Sequence, residues 1–444
     1  MNYIHRIKRS FLLCIFSISS ASLFAQTHTI DSLKRKLELH KTEDTVRATI
    51  LIDLCNAYVR ETNDVLVIQK YWPKLMTISQ KLKFKRGIAS AYYNMGLSST
   101  GKSDLDEAIN YFFKGLQLFK EIGHKKGESA CLHNIGNVRN NQGKYIIALP
   151  YTLQAAKIRE EIGDKIGSAS SYNNMGVSYY YIGDYSKALT YFFKSLRIKE
   201  EFKDDLGISF SYQNIGGVFH SMQKYKEAME YKEKALKLKI KLGDKAGEAL
   251  IYNYMADIQT LQKNYQQALM YNLKSMKLWK EVQDKSGINL CLTYIGDNYI
   301  AQEKYDEALF YYLKALASSK ELSDKRNLII CYNGLGTVYE KKKNYTQALK
   351  NYNAALAVSK ETKYRTGSLD SYLNLASVSE KLQNFKDALR YNKLYSAVKD
   401  SSLNEKSLQQ TTELNMRYEV DKKEKEILLL TKDQQLKDKS LKEQ

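Results

Sequence analysis

The sequence predicts an all-α protein, a solenoid of antiparallel helix pairs, from a repeat and the apolar pattern within it. The stretch "YNNMGVSYYYIGDYSKALTYFFKSLRIKEE", from Tyr172 to Glu201, has a near-copy about every 40 residues through eight units without a change of register. Each unit shows apolar residues at three- and four-residue spacing twice, which is the period of a helix. Only 2 of the 444 residues are proline, so few helix breaks are forced. Repeats of this length are typical of solenoids, in which each unit buries its apolar face against its neighbours.

Columns of equivalent residues show how each unit is built. Between the two helical runs of one unit, Gly183 suits the left-handed turn that ends a helix, and Asp184 suits the cap of the next. Small residues recur in both helices, and we expect them to let the two backbones approach closely. In the first helix they are Gly96, Gly136, Gly176, Gly216, Ala256, Gly296, Gly336 and Ala376. In the second helix they are Ala108, Ala148, Ala188, Ala228, Ala268, Ala308, Ala348 and Ala388.

The N-terminal region has a different organisation. Residues 1–25 carry basic side chains, then an apolar run from Phe11 to Phe24 and a small residue at the expected cleavage site, which is the layout of a secretory signal peptide. No later stretch is apolar for long enough to span a membrane. We therefore predict an exported, periplasmic or extracytoplasmic protein with no span in the mature chain. Residues 26–44 are expected to form a helix and linker, and residues 45–86 a degenerate capping hairpin ahead of the eight units in 87–400.

The charge of the chain bears on its partners. The formal net charge is +20, and removal of residues 1–25 leaves +17. A basic balance favours anionic partners such as an acidic polypeptide, a membrane surface or nucleic acid, although a solvated lysine-rich helical surface explains it equally simply. Nucleic acid is not the expected partner, because an exported protein is separated from the nucleic acid of the cell. The 35 tyrosines, which could stack on bases, are better explained by packing between helices.

The stretch "NNMGVSYYYIGDYSKALTYFFKSL" resembles the tetratricopeptide repeat at Gly176, Tyr179, Tyr185, Ala188 and Phe192. The resemblance covers about Arg47 to Asp400. It implies a right-handed superhelix whose first helices line a concave face that holds a peptide. The family's usual proline after the second helix is absent, with Glu200 in its place. We expect the second helix to run further, which would explain why this repeat is longer than the family's commonest one.

Polar residues on the first helices are the candidates for binding a peptide or protein. A column of asparagines repeats, and each amide offers both a donor and an acceptor. A bond to the neighbouring helix explains this column as well as a groove does, so irregular residues such as His133, Asn137, Asn140, Tyr180 and His220 are better candidates for specificity. The predicted set is Asn94, His133, Asn134, Asn137, Asn140, Asn173, Asn174, Tyr180, Gln213, Asn214, His220 and Asn253.

Motifs of catalysis and cofactor binding are missing from the sequence. It has no phosphate-binding glycine loop, no HExxH and no GxSxG. Its histidines lack the spacing of metal ligands. Carboxylates recur at equivalent turn positions, where each unit needs a cap. We therefore predict no enzyme, no cofactor and no metal. Cys55, Cys131, Cys291 and Cys331 are expected to be small buried residues.

Residues 401–444 are rich in Lys, Glu and Gln and contain neither Gly nor Pro. They suit a long helix, or a coiled coil through which the chain would form a homodimer. The layout from the signal peptide to this charged helix resembles the sensory region of Bacteroidetes-type sensor histidine kinases and membrane-bound transcriptional regulators. That resemblance implies signal transduction, and a truncated sensor whose output domain is missing from this chain is the alternative. Polyanion binding by the basic surface is a further alternative.

Overall fold

A computed structural model describes residues 23–61, 65–102, 104–362 and 364–398. The described residues form helices and turns, with no strand among them. The predicted all-α solenoid of consecutive helix pairs is confirmed. The predicted coiled coil of residues 401–444, and all but the last three residues of the predicted signal peptide, lie outside the described residues.

The N-terminal helices precede the regular units. They are α1 (Leu23–Leu39), α2 (Thr45–Glu61), a 3-10 helix (Val67–Lys70) and α3 (Trp72–Lys81). Within residues 45–86, α2 and α3 are separated by a break, which precedes Pro73 in the first turn of α3. Proline is tolerated there because the first amides of a helix have no partner within it.

The regular units alternate first and second helices. The first helices are α4 (Lys85–Gly101), α6 (Lys125–Asn141), α8 (Lys165–Ile182), α10 (Asp205–Ser221), α12 (Lys245–Leu261), α14 (Lys285–Ala301), α16 (Lys325–Lys341) and α18 (Arg365–Lys381). The second helices are α5 (Leu105–Glu121), α7 (Tyr145–Glu161), α9 (Tyr185–Glu201), α11 (Tyr225–Lys241), α13 (Tyr265–Glu281), α15 (Tyr305–Glu321), α17 (Tyr345–Glu361) and residues 385–398.

Each helix packs against the next, and most neighbouring first helices also touch, as α4 does with α6 and α6 with α8. First helices therefore form a row in the order of the units, and the second helices that alternate with them form the row of second helices. The two helices of a regular unit have nearly equal lengths, mostly 17 residues. The length of the repeat thus comes from two long helices joined by short turns, and not from a longer second helix alone as we expected.

The turns share one backbone geometry. Gly183 ends α8 in the left-handed region with φ 93°, and Asp184 caps α9 by accepting a hydrogen bond from the amide of Lys187, both as predicted. The same left-handed position recurs in the turns within units and in the turns between units, but many of these positions are not glycine. The non-glycine examples are Lys83, Lys203, Gln223, Lys263, Gln283, Glu303, Ser323, Lys343 and Gln383.

The small-residue columns lie where helices approach closely. Every alanine of the second-helix column is buried. The glycine of the first helix lies against a large side chain of the second, so that a Cβ added to Gly176 would lie 2.6 Å from the ring of Phe192. Aromatic rings lie in the same way on Gly96, Gly296 and Gly336. Glycine is required at these positions because the facing side chain fills the space of a Cβ.

The cysteines behave as small core residues. Cys55, Cys131, Cys291 and Cys331 are buried, as predicted, and none of the four forms a disulfide. Burial raises the pKa of the Cys55 and Cys331 thiols to about 12, so both stay protonated and unreactive at physiological pH.

Lys199 lies between α9 and α10 and gives the fold a dependence on pH. Its Nζ donates to the carbonyl of Gly207 at 3.2 Å and to Ser211 Oγ at 3.1 Å. Burial lowers its pKa to about 8 from 10.5, although the nearby Asp204 opposes the change. Between these two values the unfolded chain binds more protons than the folded chain, so the folded state gains stability as pH rises through this window.

We expect this gain to be on the order of 1–3 kcal/mol between pH 8 and pH 10.5. Chemical denaturation of the wild type and Lys199→Met across this range would measure it, because the variant lacks the titrating group. Lys194→Met is the control, since Lys194 is exposed on the same helix. Parallel pH curves for the wild type and Lys199→Met would contradict the prediction.

Candidate functional site

The row of first helices carries the predicted binding residues, and burial divides them into two groups. Seven are buried between helices: Asn94, Asn140, Tyr180, Gln213, Asn214, His220 and Asn253. Five keep part of their surface accessible to solvent: His133, Asn134, Asn137, Asn173 and Asn174. All five lie on the adjacent helices α6 and α8, so the candidate site is confined to this part of the row.

Buried members of the set contact neighbouring helices. The Tyr180 hydroxyl lies 2.8 Å from Ser221 Oγ on the next first helix. Asn140 donates from Nδ2 to the carbonyl of Asn174 at 3.3 Å. Asn253 donates to Asn272 Oδ1 at 3.2 Å within a fully buried environment. These contacts give the side chains a structural role in the described conformation.

His220 also faces the interior. It is 8% exposed, and its Nε2 lies 3.3 Å from Asp257 Oδ2. Burial, together with the charge of the nearby Lys232, lowers its pKa to about 4, so the ring is neutral at physiological pH. A buried neutral imidazole at this position is part of the packing between α10 and α12.

The asparagine column forms bonds between successive units. Asn134 Nδ2 donates to the Tyr93 hydroxyl at 3.1 Å, and Asn214 Nδ2 donates to Asn173 Oδ1 at 2.9 Å. Asn374 Nδ2 lies 3.4 Å from Asn333 Oδ1 in the same relation. In each case the bonding partner lies 41 residues earlier, which is one position before the equivalent of the asparagine in the preceding unit. This regularity supports the scaffold interpretation for these three asparagines.

Two accessible amides on α6 and α8 have no such bond. Within the described residues, the side chains of Asn137 and Asn174 form no hydrogen bond with protein groups. One helical turn before Asn137, the Nδ1 atom of His133 is buried without a partner. Burial and the charge of Arg159 lower the pKa of His133 to about 3, so its ring is a neutral donor and acceptor. Three groups able to bind a peptide backbone thus lie on neighbouring helix faces.

An aromatic pair between α7 and α8 was not predicted from the sequence. The rings of Tyr145 and Tyr181 stack with centroids 4.4 Å apart and an interplanar angle of 7°. Burial raises the pKa of both phenols, and Tyr364 adds to the rise whereas Arg326 opposes it. Tyr181 occupies an irregular column, so the repeat contains no signal for it.

Metal sites and membrane spans are absent from the described residues. No group of three or more His, Cys, Asp or Glu side chains there could hold a metal ion. None of the helices in that part of the chain is both long and apolar enough to cross a bilayer.

Comparison with solved structures shows the same fold in other proteins. A Rap protein complexed with Competence and Sporulation Factor is similar over 82% of this chain and 100% of its own length, with 14% identity and a TM-score of 0.57. The apo quorum sensor NprR from B. thuringiensis matches 76% of this chain and 96% of its own, with 18% identity and a TM-score of 0.52. Aspartyl phosphate phosphatase F from Bacillus subtilis matches 87% of this chain and 96% of its own length, with 14% identity and a TM-score of 0.52.

Comparison at the level of sequence identifies the repeat. No curated protein sequence matches the chain. The family model described as tetratricopeptide repeat matches residues 128–201, 169–241, 247–321 and 327–400, which together are more than half of the chain. These matches include the glycine, alanine and aromatic columns whose packing the structure explains. The chain therefore belongs to the tetratricopeptide repeat family.

Proposed function

We propose that this chain is a binding scaffold that holds a peptide or an extended protein segment on the row of first helices at α6 and α8. The observation that carries the proposal is the pair of accessible amides that the fold leaves without bonds, those of Asn137 and Asn174, near the partly accessible, neutral ring of His133. An extended backbone presents alternating donors and acceptors, which amides and a neutral imidazole can pair with. The similar Rap protein is complexed with a factor and the similar NprR is a quorum sensor, which agrees with this use of the fold.

The finer proposal is that the scaffold is the exported, sensory part of a signalling system. Its support is the signal-peptide layout of residues 1–25 and the resemblance of the whole layout to sensory regions. Fractionation of cells that express the full chain, with N-terminal sequencing of the product, tests export. A product that keeps residues 1–25 and stays in the cytoplasm would contradict it.

Peptide binding is tested with a random peptide phage library selected on the immobilised full chain. Fluorescence anisotropy then compares selected peptides on the wild type and on Asn137→Ala/Asn174→Ala. We expect the double variant to weaken binding about tenfold or more, because two hydrogen bonds of about 1 kcal/mol each are lost. Both side chains are partly accessible, so the fold should be unaffected.

Asn353→Ala is the matched control, because Asn353 is exposed on a second helix and bonds only to the carbonyl of Leu349. Equal affinity of the wild type and the double variant for every selected peptide would place binding elsewhere and overturn the assignment.

A further inference from the structure

The outward faces of two neighbouring second helices expose large apolar side chains. On α13, Met270 is 41% and Leu273 52% exposed, and on α15, Phe310 is 58% and Leu313 47% exposed. The four residues occupy equivalent positions of successive units. At the same column, Phe193 of α9 contacts Tyr231 of α11 across successive second helices, with ring centroids 6.3 Å apart. A side chain in this column can therefore reach the next second helix, as Phe193 does between α9 and α11.

A shallow groove follows this surface along α13. Its volume is about 460 Å³. It is lined by Gln266, Leu269, Met270, Leu273, Lys274 and Lys277. These residues are spaced three and four apart on one face of α13, so the groove runs parallel to the axis of that helix.

Lysines surround the apolar residues. The Lys274 ammonium lies 5.6 Å from the ring centroid of Tyr252 and 6.0 Å from that of Tyr271, and the Lys314 ammonium lies 5.5 Å from the ring of Phe310. These contacts hold the cations beside the apolar patch. In the part of the chain that the structure describes, Lys274, Lys277 and Lys314 have no carboxylate within salt-bridge distance. A partner with acidic side chains on either side of an apolar stripe would complement this surface.

The patch ends abruptly on both sides. The equivalent positions of α11 are Glu230 and Glu233, and those of α17 are Lys350 and Asn353, all polar. An anionic membrane that covered the row of second helices would meet Glu230 and Glu233 and be repelled by them. A single helix that lies along α13 and α15 would reach Lys274, Lys277 and Lys314 and avoid both glutamates.

We propose that α13 and α15 form a second docking surface, distinct from the row of first helices, for an acidic amphipathic helix of a partner protein. The apolar stripe of that helix packs on Met270, Leu273, Phe310 and Leu313. Its flanking carboxylates pair with Lys274, Lys277 and Lys314. Part of the net positive charge of the chain would thus bind an acidic partner at α13 and α15, independently of the peptide site on the first helices.

The test uses three labelled helical peptides and the full chain. One carries leucines at three- and four-residue spacing with glutamates beside them, the second has lysines in place of the glutamates, and the third keeps the glutamates but scrambles the leucines. We expect only the first to bind, and Leu273→Glu/Leu313→Glu to weaken it at least about tenfold. Leu153→Glu on α7, which lies in the same column and is 45% exposed, should leave binding unchanged.

Four outcomes would overturn the proposal. They are equal binding of the lysine peptide, binding that Leu273→Glu/Leu313→Glu does not affect, binding to phosphatidylserine vesicles but not to the glutamate peptide, and self-association of the chain through Leu273 and Leu313 without peptide binding. Binding of phage-selected peptides, which depends on Asn137 and Asn174, should be the same in Leu273→Glu/Leu313→Glu and in the wild type. Failure of one surface is therefore distinguishable from failure of the other.

Discussion

Phe192→Ala is expected to lower the free energy of unfolding by about 3–5 kcal/mol, the range for removing a fully buried aromatic side chain. Phe192 has no exposed surface, and its ring lies against Gly176 in the close approach of α8 and α9. Alanine would leave a cavity between two helices that contact each other along most of their length. Thermal and chemical denaturation, with limited proteolysis to detect local opening of this unit, would measure the loss.

The adjacent residue supplies the control for this prediction. Phe193 is 39% exposed on the same helix, so Phe193→Ala should lower the free energy of unfolding much less than Phe192→Ala does. A second comparison tests the contact itself. Gly176→Ala should destabilise the wild type, because the added Cβ would lie 2.6 Å from the Phe192 ring, and should cost little in the Phe192→Ala background. Additive effects of the two substitutions would show that the ring and the glycine do not pack together.

Asp244→Ala is expected to destabilise the chain by about 3–5 kcal/mol, because it leaves the charge of Lys239 buried without its partner. Lys239 Nζ and Asp244 Oδ2 are 2.8 Å apart, with the two side chains 1% and 4% exposed. Asp244 also accepts a hydrogen bond from the amide of Gly247 at 2.8 Å and so caps α12. The substitution therefore removes a cap as well as a counter-ion.

Lys239→Met is expected to lower the free energy of unfolding far less than Asp244→Ala does. In the next unit the equivalent of Lys239 is Trp279, and the cap Asp284 bonds to the amide of Gly287 at 2.9 Å without a lysine beside it. An apolar side chain is thus compatible with a capping aspartate at this position. The double variant Lys239→Met/Asp244→Ala should recover most of the stability lost in Asp244→Ala. Equal losses in both single variants would show that the ion pair, and not the isolated lysine charge, determines the effect.

The repeat made the architecture predictable, because one pattern of small and large residues occurs in eight units and leaves little freedom in their packing. The Gly176 and Ala188 columns, the Gly183 turn and the Asp184 cap follow directly from the residue types. The sequence could not predict which asparagines bond within the scaffold. Asn134 and Asn137 are equally polar and lie on one helix, and only the position of Tyr93 on the neighbouring helix distinguishes them.

Electrostatic effects between residues of distant units also could not be predicted from the sequence. The influence of Arg326 and Tyr364 on Tyr145 and Tyr181 depends on the arrangement of many successive helix pairs. The positive φ angles of Lys263, Gln283 and Glu303 could not be predicted either, because these residue types prefer a right-handed backbone. The short turn between two packed helices imposes the left-handed conformation on them.

The left-handed position that recurs in both kinds of turn has a consequence for how such a chain lengthens. The turn within a unit and the turn between units have the same backbone geometry, so a duplicated segment could be joined at either turn without a new loop structure. Side chains do make the distinction, because the small residue of a first helix packs against a side chain of the second helix that follows, such as Phe192 against Gly176. Insertion of a single helix would place two helices of the same kind side by side and leave an apolar face without its complement. Growth by gene duplication is therefore compatible with packing only in steps of a complete pair.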